Sequence, residues 1–268
     1  MQHCKPNRGL VGIVMDLATT EPAKVRRPLR RRLGTAVIIL LLLPYALTPL
    51  YLVGRPVSTV MLWRWATGAS VERDWVPIDA VSPVLLFSVI AAEDSRFCSH
   101  HGVDFEEIAE AMDDAEDGGR LRGGSTITQQ TVKNLFLWSG RSVLRKLLEL
   151  PLALWMDLIV PKRRIFEIYL NIAEWGPDGQ FGAEAGTRYA FDKDAWDLTP
   201  LEAGLMAATL PNPVTRDAGR PSPGLRRLAG IYQGRAPTVA AAAGCLARAG
   251  EPFGRAASVA RRTRPALP

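Results

Sequence analysis

The sequence predicts a mainly α chain, one transmembrane helix followed by a helical domain. Residues 33–54 contain no charged side chain, and beyond residue 76 apolar residues recur at three- and four-residue steps. Clear runs of alternating polar and apolar residues, which half-buried strands need, are missing. With 268 residues, 47% of them hydrophobic, the chain can bury one good core and a second small lobe. This composition excludes a disordered or disulfide-rich class. The net charge of +6 raises nucleic acid as a partner, but the excess sits in residues 24–32 and beyond Gly224. A basic flank beside an apolar run points to a membrane instead, and no nucleic acid is expected.

Taken in order, residues 1–32 form a cytoplasmic segment, of which 1–23 carry no usable pattern. Residues 33–53 form the transmembrane helix, since at 1.5 Å per residue such a run covers roughly 30 Å, the thickness of a bilayer core. Pro44 and Pro49 each delete a backbone hydrogen bond, which membrane helices tolerate better than soluble ones. Lys24, Arg26, Arg27, Arg30, Arg31 and Arg32 precede the run and only Arg55 follows closely, so the N-terminus stays in the cytoplasm and the rest lies outside. A cleaved signal peptide would have a shorter apolar region and a small-residue cleavage site, which LTPLYLVGRP does not offer. On this topology Cys4 is in a reducing compartment and Cys98 and Cys245 in an oxidising one. A bridge between the latter two is permitted but not implied, and no disulfide framework is expected.

Residues 54–75 connect the span to the domain and carry Trp63, Trp65 and Trp75, which suit either a headgroup region or ordinary core packing. The domain itself is placed at residues 76–232. Its first helix starts at Ser82-Pro83, where the Ser oxygen can cap free amides and Pro has none to lose, and runs to about residue 96. Leu86, Ile90, Glu93 and Phe97 recur at steps of four, three and four, so a carboxylate shares a line with apolar side chains. Burial raises a carboxyl pKa, which poises Glu93 for proton transfer near neutral pH. A structural Glu satisfied by a partner is the equal alternative.

His100 and His101 are adjacent and so point in different directions, and no third ligand stands at a metal-site spacing. Gly102 and Asp104 shape a turn and cap a helix over residues 105–115. Asp113, Asp114, Glu116 and Asp117 then lead into a glycine-rich stretch, 118–124, expected to be a solvated flexible loop rather than a calcium loop. In GGSTITQQTVKN (123–134), Ser125 is placed as the cap of a helix starting at Thr126. Thr126, Gln130, Lys133 and Asn134 fall on one stripe of it. Glycines before a helix start, with a Lys nearby, suit a phosphate, although a solvated helix face accounts for the stripe as well.

Arg141, Arg145 and Glu149 repeat every four residues, with Lys146 three before Glu149. They read either as a surface ladder of salt bridges or as a cationic wall with a second carboxylate. KRRIFEIYLN (162–171) is an amphipathic helix with a structural role, and residues 198–210 form another, capped at Thr199-Pro200 and stopped by Pro211 and Pro213. Residues 233–268, rich in Ala, Arg, Pro and Gly, are expected to be a poorly packed low-complexity tail.

Five ordered blocks, AAEDSRFCSHHGVD, GGSTITQQTVKN, RKLLE, KRRIFEIYLN and LTPLEAGLMAATLPNP, together resemble the peptidoglycan glycosyltransferases, in particular the monofunctional, membrane-anchored biosynthetic transglycosylases. The same domain occurs in class A penicillin-binding proteins, but SxxK and KTG are missing here and the chain ends too soon for a transpeptidase domain. The resemblance implies a lysozyme-like glycosyltransferase domain that polymerises lipid II. It implies Glu93 as the general base for the acceptor 4-hydroxyl, with inversion at the donor anomeric carbon and release of undecaprenyl pyrophosphate. Lys133, Arg141, Arg145 and Lys146 would balance charge on the pyrophosphate, with Ser125, Thr126, Gln130 and Asn134 beside them. Glu149 matches the family's second carboxylate, which holds a divalent cation (Mg or Mn) or tunes the cationic cluster; no organic cofactor is implied. Partners implied are lipid II, lipid-linked glycan strands, the membrane and other cell-division or cell-wall synthesis proteins. Gly186 and Gly204 stand where alanines are usual in the family, and Ala183 where a larger aliphatic is usual. The competing readings are a lysozyme-like glycan hydrolase and a catalytically silent scaffold.

Overall fold

The computed structural model describes residues 26–116, 124–140 and 142–247. Arg141, Asp117 with residues 118–123 of the glycine-rich stretch, Cys4 and the chain beyond 247 lie outside the described residues. The chain divides into two compact units, residues 1–43 and 44–268. In the first, helix α1 (Arg26–Leu47) begins, carrying exposed Leu33, Val37, Ile38, Ile39 and Leu40. Residues 30–52 are long and apolar enough to cross a membrane.

The second unit is mainly helical. Helices α2 (Thr59–Ala66), α3 (Pro83–Glu93), α4 (Phe105–Glu116), α5 (Ile127–Phe136), α6 (Val143–Ile159), α7 (Lys162–Ile172), α8 (Ala183–Phe191), α9 (Pro200–Thr209) and α10 (Pro223–Ala242) follow in order. The only sheet among the described residues is a parallel pair, β1 (Glu72–Arg73) with β2 (Gln180–Phe181). Two bundles form: α3 packs with α9 and α10, and α5 packs with α6 and α7. The core runs through both, with Leu85, Leu86, Val89 and Ile90 of α3 and Ile165, Phe166, Ile168 and Tyr169 of α7 all buried. Each such aliphatic side chain removed from water contributes about 1.5–3 kcal/mol.

Helix starts follow local chemistry, with two corrections. Ser82 makes no side-chain cap; only its carbonyl accepts, from Leu85 and Leu86, and Pro83 supplies the start. Ser125 does not cap α5: Thr126 does, in a reciprocal box with Gln129. A Thr followed three residues later by Gln satisfies two orphan amides at once, which a Ser at 125 cannot match. The same box at Thr199 and Glu202 starts α9, while Ser142 and Ser222 cap α6 and α10. Asp104 caps α4, accepting from Glu107 N at 2.9 Å, after the turn at Gly102. Gly102 has φ +78°, and a Cβ there would lie 2.4 Å from the Ala153 carbonyl oxygen. Gly204 allows a close approach of another kind: a Cβ there would lie 2.6 Å from the Ala229 carbonyl oxygen, so α9 and α10 meet more tightly than an alanine permits.

The packed chain begins before residue 76 and continues past residue 232, the limits expected from sequence. Met61 of α2 is buried, and Thr59 Oγ1 donates to the Leu137 carbonyl at 2.6 Å. Trp75 packs against the core with the guanidinium groups of Arg73 and Arg164 5.3 and 5.4 Å from its ring centroid, whereas Trp63 and Trp65 are exposed, so the tryptophans divide between core and surface. At the far end, α10 buries Ala236 and Val239, and the turn Gly244–Leu246 buries Leu246. These residues are therefore part of the fold and not tail. A disulfide joins Cys98 to Cys245.

Candidate active site

Glu93 is the last residue of α3, which ends there and not near residue 96. Asp94 leaves the helical region at φ −167°, because its carboxylate accepts from Ile127 N at 2.9 Å and faces His100 Nε2 at 3.0 Å. That carboxylate, itself buried, ties the end of α3 to the start of α5. The histidines thus have separate roles: His100 faces Asp94, and exposed His101 lies 3.7 Å from Asp157.

The tie sets Gln130, one turn into α5, against Glu93. Gln130 Nε2 donates to Glu93 Oε2 at 2.7 Å, and Tyr169 Oη donates to Gln130 Oε1 at 3.4 Å. Burial holds the Tyr169 hydroxyl well above its ordinary pKa, with the Glu93 and Asp94 charges adding, so it keeps its proton and fixes which way the Gln130 amide points. Burial also raises the Glu93 pKa, and nearby Asp94 adds to the rise. The Gln130 hydrogen bond and the positive charges of Lys133 and Arg216 oppose it.

Lys133 shares a face with Gln130 at i+3. Burial lowers its pKa, as does the charge of Arg145, while Glu93 pulls it back up. Lys146 is lowered by burial and then by Arg145 and Lys133. Positive charges close enough to lower both lysines form a cluster that favours a polyanion. Lys146 Nζ donates to Ser125 Oγ at 2.7 Å, which links α6 to the segment before α5. Glu149 is buried and paired with Arg145, with Lys146 at 3.4 Å. Neither the ladder nor the wall reading is complete alone, since the pair is internal while the remaining charge faces the cluster.

Of the residues expected at the site, Glu93, Gln130, Lys133, Arg145, Lys146, Ser125 and Glu149 form this continuous group. Asn134 lies one step further along α5, its carbonyl accepting from Thr59 Oγ1 at 3.1 Å. Thr126 is buried, its hydroxyl donating to the Gly102 carbonyl at 2.6 Å and accepting from Gln129 N, so it fixes α5 and does not face a ligand. Arg141 lies outside the described residues. Arg216, Tyr232 and Tyr169 are not among the expected residues. Arg216 Nη1 donates to the Ala208 carbonyl at 2.7 Å, and its charge reaches both Glu93 and Tyr232. Tyr169 had one sequence signal, a polar tip on the otherwise apolar face of α7; nothing in the sequence marks the other two.

Glu149 faces the cations Arg145 and Lys146, and among the described residues no three His, Cys, Asp or Glu side chains cluster to hold an ion on protein ligands alone.

The pKa shifts predict a pH profile. Were Glu93 to act as a base, active when deprotonated, its raised pKa would move the acid limb of kcat/KM above the ordinary Glu range. Were the Lys133 cation needed, its lowered pKa would move the alkaline limb below the ordinary Lys range. Measured rates should trace a bell narrower than that of two unperturbed groups. An acid limb at an ordinary Glu pKa would contradict the burial of Glu93.

A Transglycosylase family model matches residues 60–231. The biosynthetic peptidoglycan transglycosylase of Nitrobacter hamburgensis is 63% identical over 211 residues, covering 78% of this chain and 93% of that protein. Its counterpart in Rhodopseudomonas palustris strain TIE-1 is 60% identical over 213 residues, 78% and 90% respectively. The Mesorhizobium japonicum protein is 51% identical over 236 residues, 86% of this chain and 100% of its own length. The carboxylate at the end of α3 and the cations on α5 and α6 therefore stand in a lysozyme-like domain, and the chain belongs to the transglycosylase family, among the biosynthetic peptidoglycan transglycosylases.

Proposed function

We infer that the chain is a glycan-strand polymerase of cell-wall synthesis, transferring a lipid-linked glycan to the 4-hydroxyl of lipid II. The observation that carries this reading is a half-buried carboxylate, Glu93, beside the mutually repelling cations Lys133, Arg145 and Lys146. Glu93 takes the acceptor hydroxyl proton as that oxygen attacks the donor anomeric carbon from the face opposite the leaving group. Configuration inverts, and the bond to the lipid pyrophosphate breaks with its electron pair on the phosphate oxygen. The cations meet that charge in a partly dry site, where fixed positive groups act most strongly. Gln130, held by Tyr169, keeps the Glu93 oxygens oriented. Glu149 orients Arg145. A glycan hydrolase would have no pyrophosphate for such a cluster to bind.

The membrane reading is supported by the apolar run and by the chain that follows it. Trp155 Nε1 of α6 donates to the Tyr45 carbonyl at 3.1 Å, and Arg164 Nε of α7 donates to the Tyr51 carbonyl at 3.0 Å. Val143, Leu144, Leu147, Leu154 and Leu158 leave a face of α6 apolar and exposed. A surface of this kind beside the exit of a span suits a bilayer headgroup region. The arginines before the span keep the N-terminus in the cytoplasm and the domain in the periplasm.

Incubating the purified protein with labelled lipid II should yield polymer; released muropeptide, or no product, would overturn the polymerase reading. Anchoring is tested by deleting residues 1–43, which spares Tyr45 and Tyr51 and the bonds they receive. The truncated protein should polymerise in detergent and lose about tenfold in efficiency on lipid II in vesicles, because the substrate search is no longer confined to the surface. Equal rates on vesicles would remove the benefit of the anchor.

A further inference from the structure

Cys98 and Cys245 are 147 positions apart in sequence, with Cα atoms 5.5 Å apart. The two ends of the bridge are held very differently. Cys98 lies in the turn that leaves α3, where Phe97 N donates to the Asp94 carbonyl and Ser99 N to the Arg96 carbonyl. Phe97 anchors this turn: it is buried against Phe166 and under the Lys162 ammonium, 4.7 Å from the ring centroid. The same turn carries Asp94 and follows directly on Glu93.

Cys245 lies in the turn after α10, whose last two turns are held mainly by small side chains. Ala236, Val239 and Ala243 are buried there and Leu246 is buried in the turn itself, and the alanines remove little apolar surface from water. Pro237 stands inside the helix and withholds an amide from its hydrogen-bond ladder. A shallow cavity between Ile90, Phe97, Cys98, Val239 and Ala242 leaves the contact incompletely filled. To this packing the covalent bond adds a direct tie between the end of α10 and the active-site turn.

We propose that Cys98–Cys245 is an oxidative modification site whose closure completes the active site, clamping the helix that carries Tyr232 against the turn that follows Glu93. It closes by exchange with a protein or low-molecular-weight disulfide. One cysteine thiolate attacks the oxidant, forming a mixed disulfide and expelling one thiolate. The second cysteine thiolate attacks the first cysteine's sulfur, closes the bond and expels the other, so the oxidant leaves as two thiols with the protons the cysteines lost. Such oxidants act in extracytoplasmic compartments, so a chain still in the cytoplasm keeps both thiols and an α10 end without its covalent tie. The effect on catalysis rests on the polymerase reading above.

The test uses full-length protein isolated from the membrane. Alkylation in denaturant should label one cysteine, Cys4, without reductant and three with it. Reduction of the folded protein should lower kcat on lipid II about tenfold, with KM within about twofold, because the clamp acts on the base and not on the pyrophosphate cluster. The melting temperature should fall by roughly 5–10 °C. The double variant Cys98→Ser with Cys245→Ser should match the reduced enzyme and be indifferent to reductant. Three labelled cysteines without reductant, or an unchanged kcat in both the reduced and the double-variant protein, would overturn the proposal. Should oxidised protein make no polymer at all, the polymerase reading falls, and the clamp is decided by alkylation and melting alone.

Discussion

Replacing Glu93 with Gln is expected to lower glycan polymerisation by about 10³-fold or more while leaving the domain folded. General-base catalysis by a positioned side chain is worth roughly 10²–10⁴-fold. The amide keeps the volume, and its carbonyl can still accept from Gln130 Nε2, which now meets the Glu93 oxygen at 2.7 Å. What it cannot do is take a proton. The same burial that suits the carboxyl to this work also makes it a cost to the fold. Its pKa is raised in the folded chain, so the native state holds the proton more tightly than the unfolded state does. Stability from this group is therefore full below the unfolded pKa and is lost as pH rises through the folded one. At neutral pH the Glu93→Gln protein should melt at or above the wild-type temperature, and the difference should vanish in acid. Thermal melts at pH 7 and pH 4, run beside lipid II turnover, check both halves. Retained turnover would take Glu93 out of the mechanism.

Lys133→Ala is expected to cost about 10²-fold in kcat/KM, comparable to losing one preorganised group that meets developing charge. Lys133 is the cleaner probe of the cationic cluster, because it is held among like charges. Removing it relieves repulsion and should leave the melting temperature unchanged or raised. Arg145→Ala is a different experiment, since it leaves buried Glu149 with Lys146, at 3.4 Å, as its remaining partner. Breaking a buried pair costs up to about 3–5 kcal/mol, so lost activity there mixes folding with chemistry. In single-turnover assays with a lipid-linked glycan donor and saturating lipid II, the Lys133→Ala defect should follow the donor. A wild-type rate at low donor concentration would reduce the stripe on α5 to a solvated face.

The sequence by itself determined the features whose causes lie within one or two helical turns. The apolar run of the span, the start of α3 at Pro83, the cap of α4 at Asp104 and the amphipathic course of α7 each follow from neighbours a few residues away. Glu93 was legible for the same reason, as a carboxylate on an apolar line. Choices between adjacent capping residues were not, because Thr126 wins over Ser125 through a bond to the distant Gly102 carbonyl as well as its own box. Only the tertiary structure decided what surrounds Glu93. Asp94 reaches the first amide of α5, Tyr169 comes from α7, and the Arg216 charge and the neutral Tyr232 hydroxyl arrive from beyond α9, across more than a hundred positions of sequence. Periodicity says which face of a helix is buried but not which helix covers it; that is set by the packing of the two bundles. The same holds for Cys245, whose composition reads as tail until α10 carries it back to Cys98.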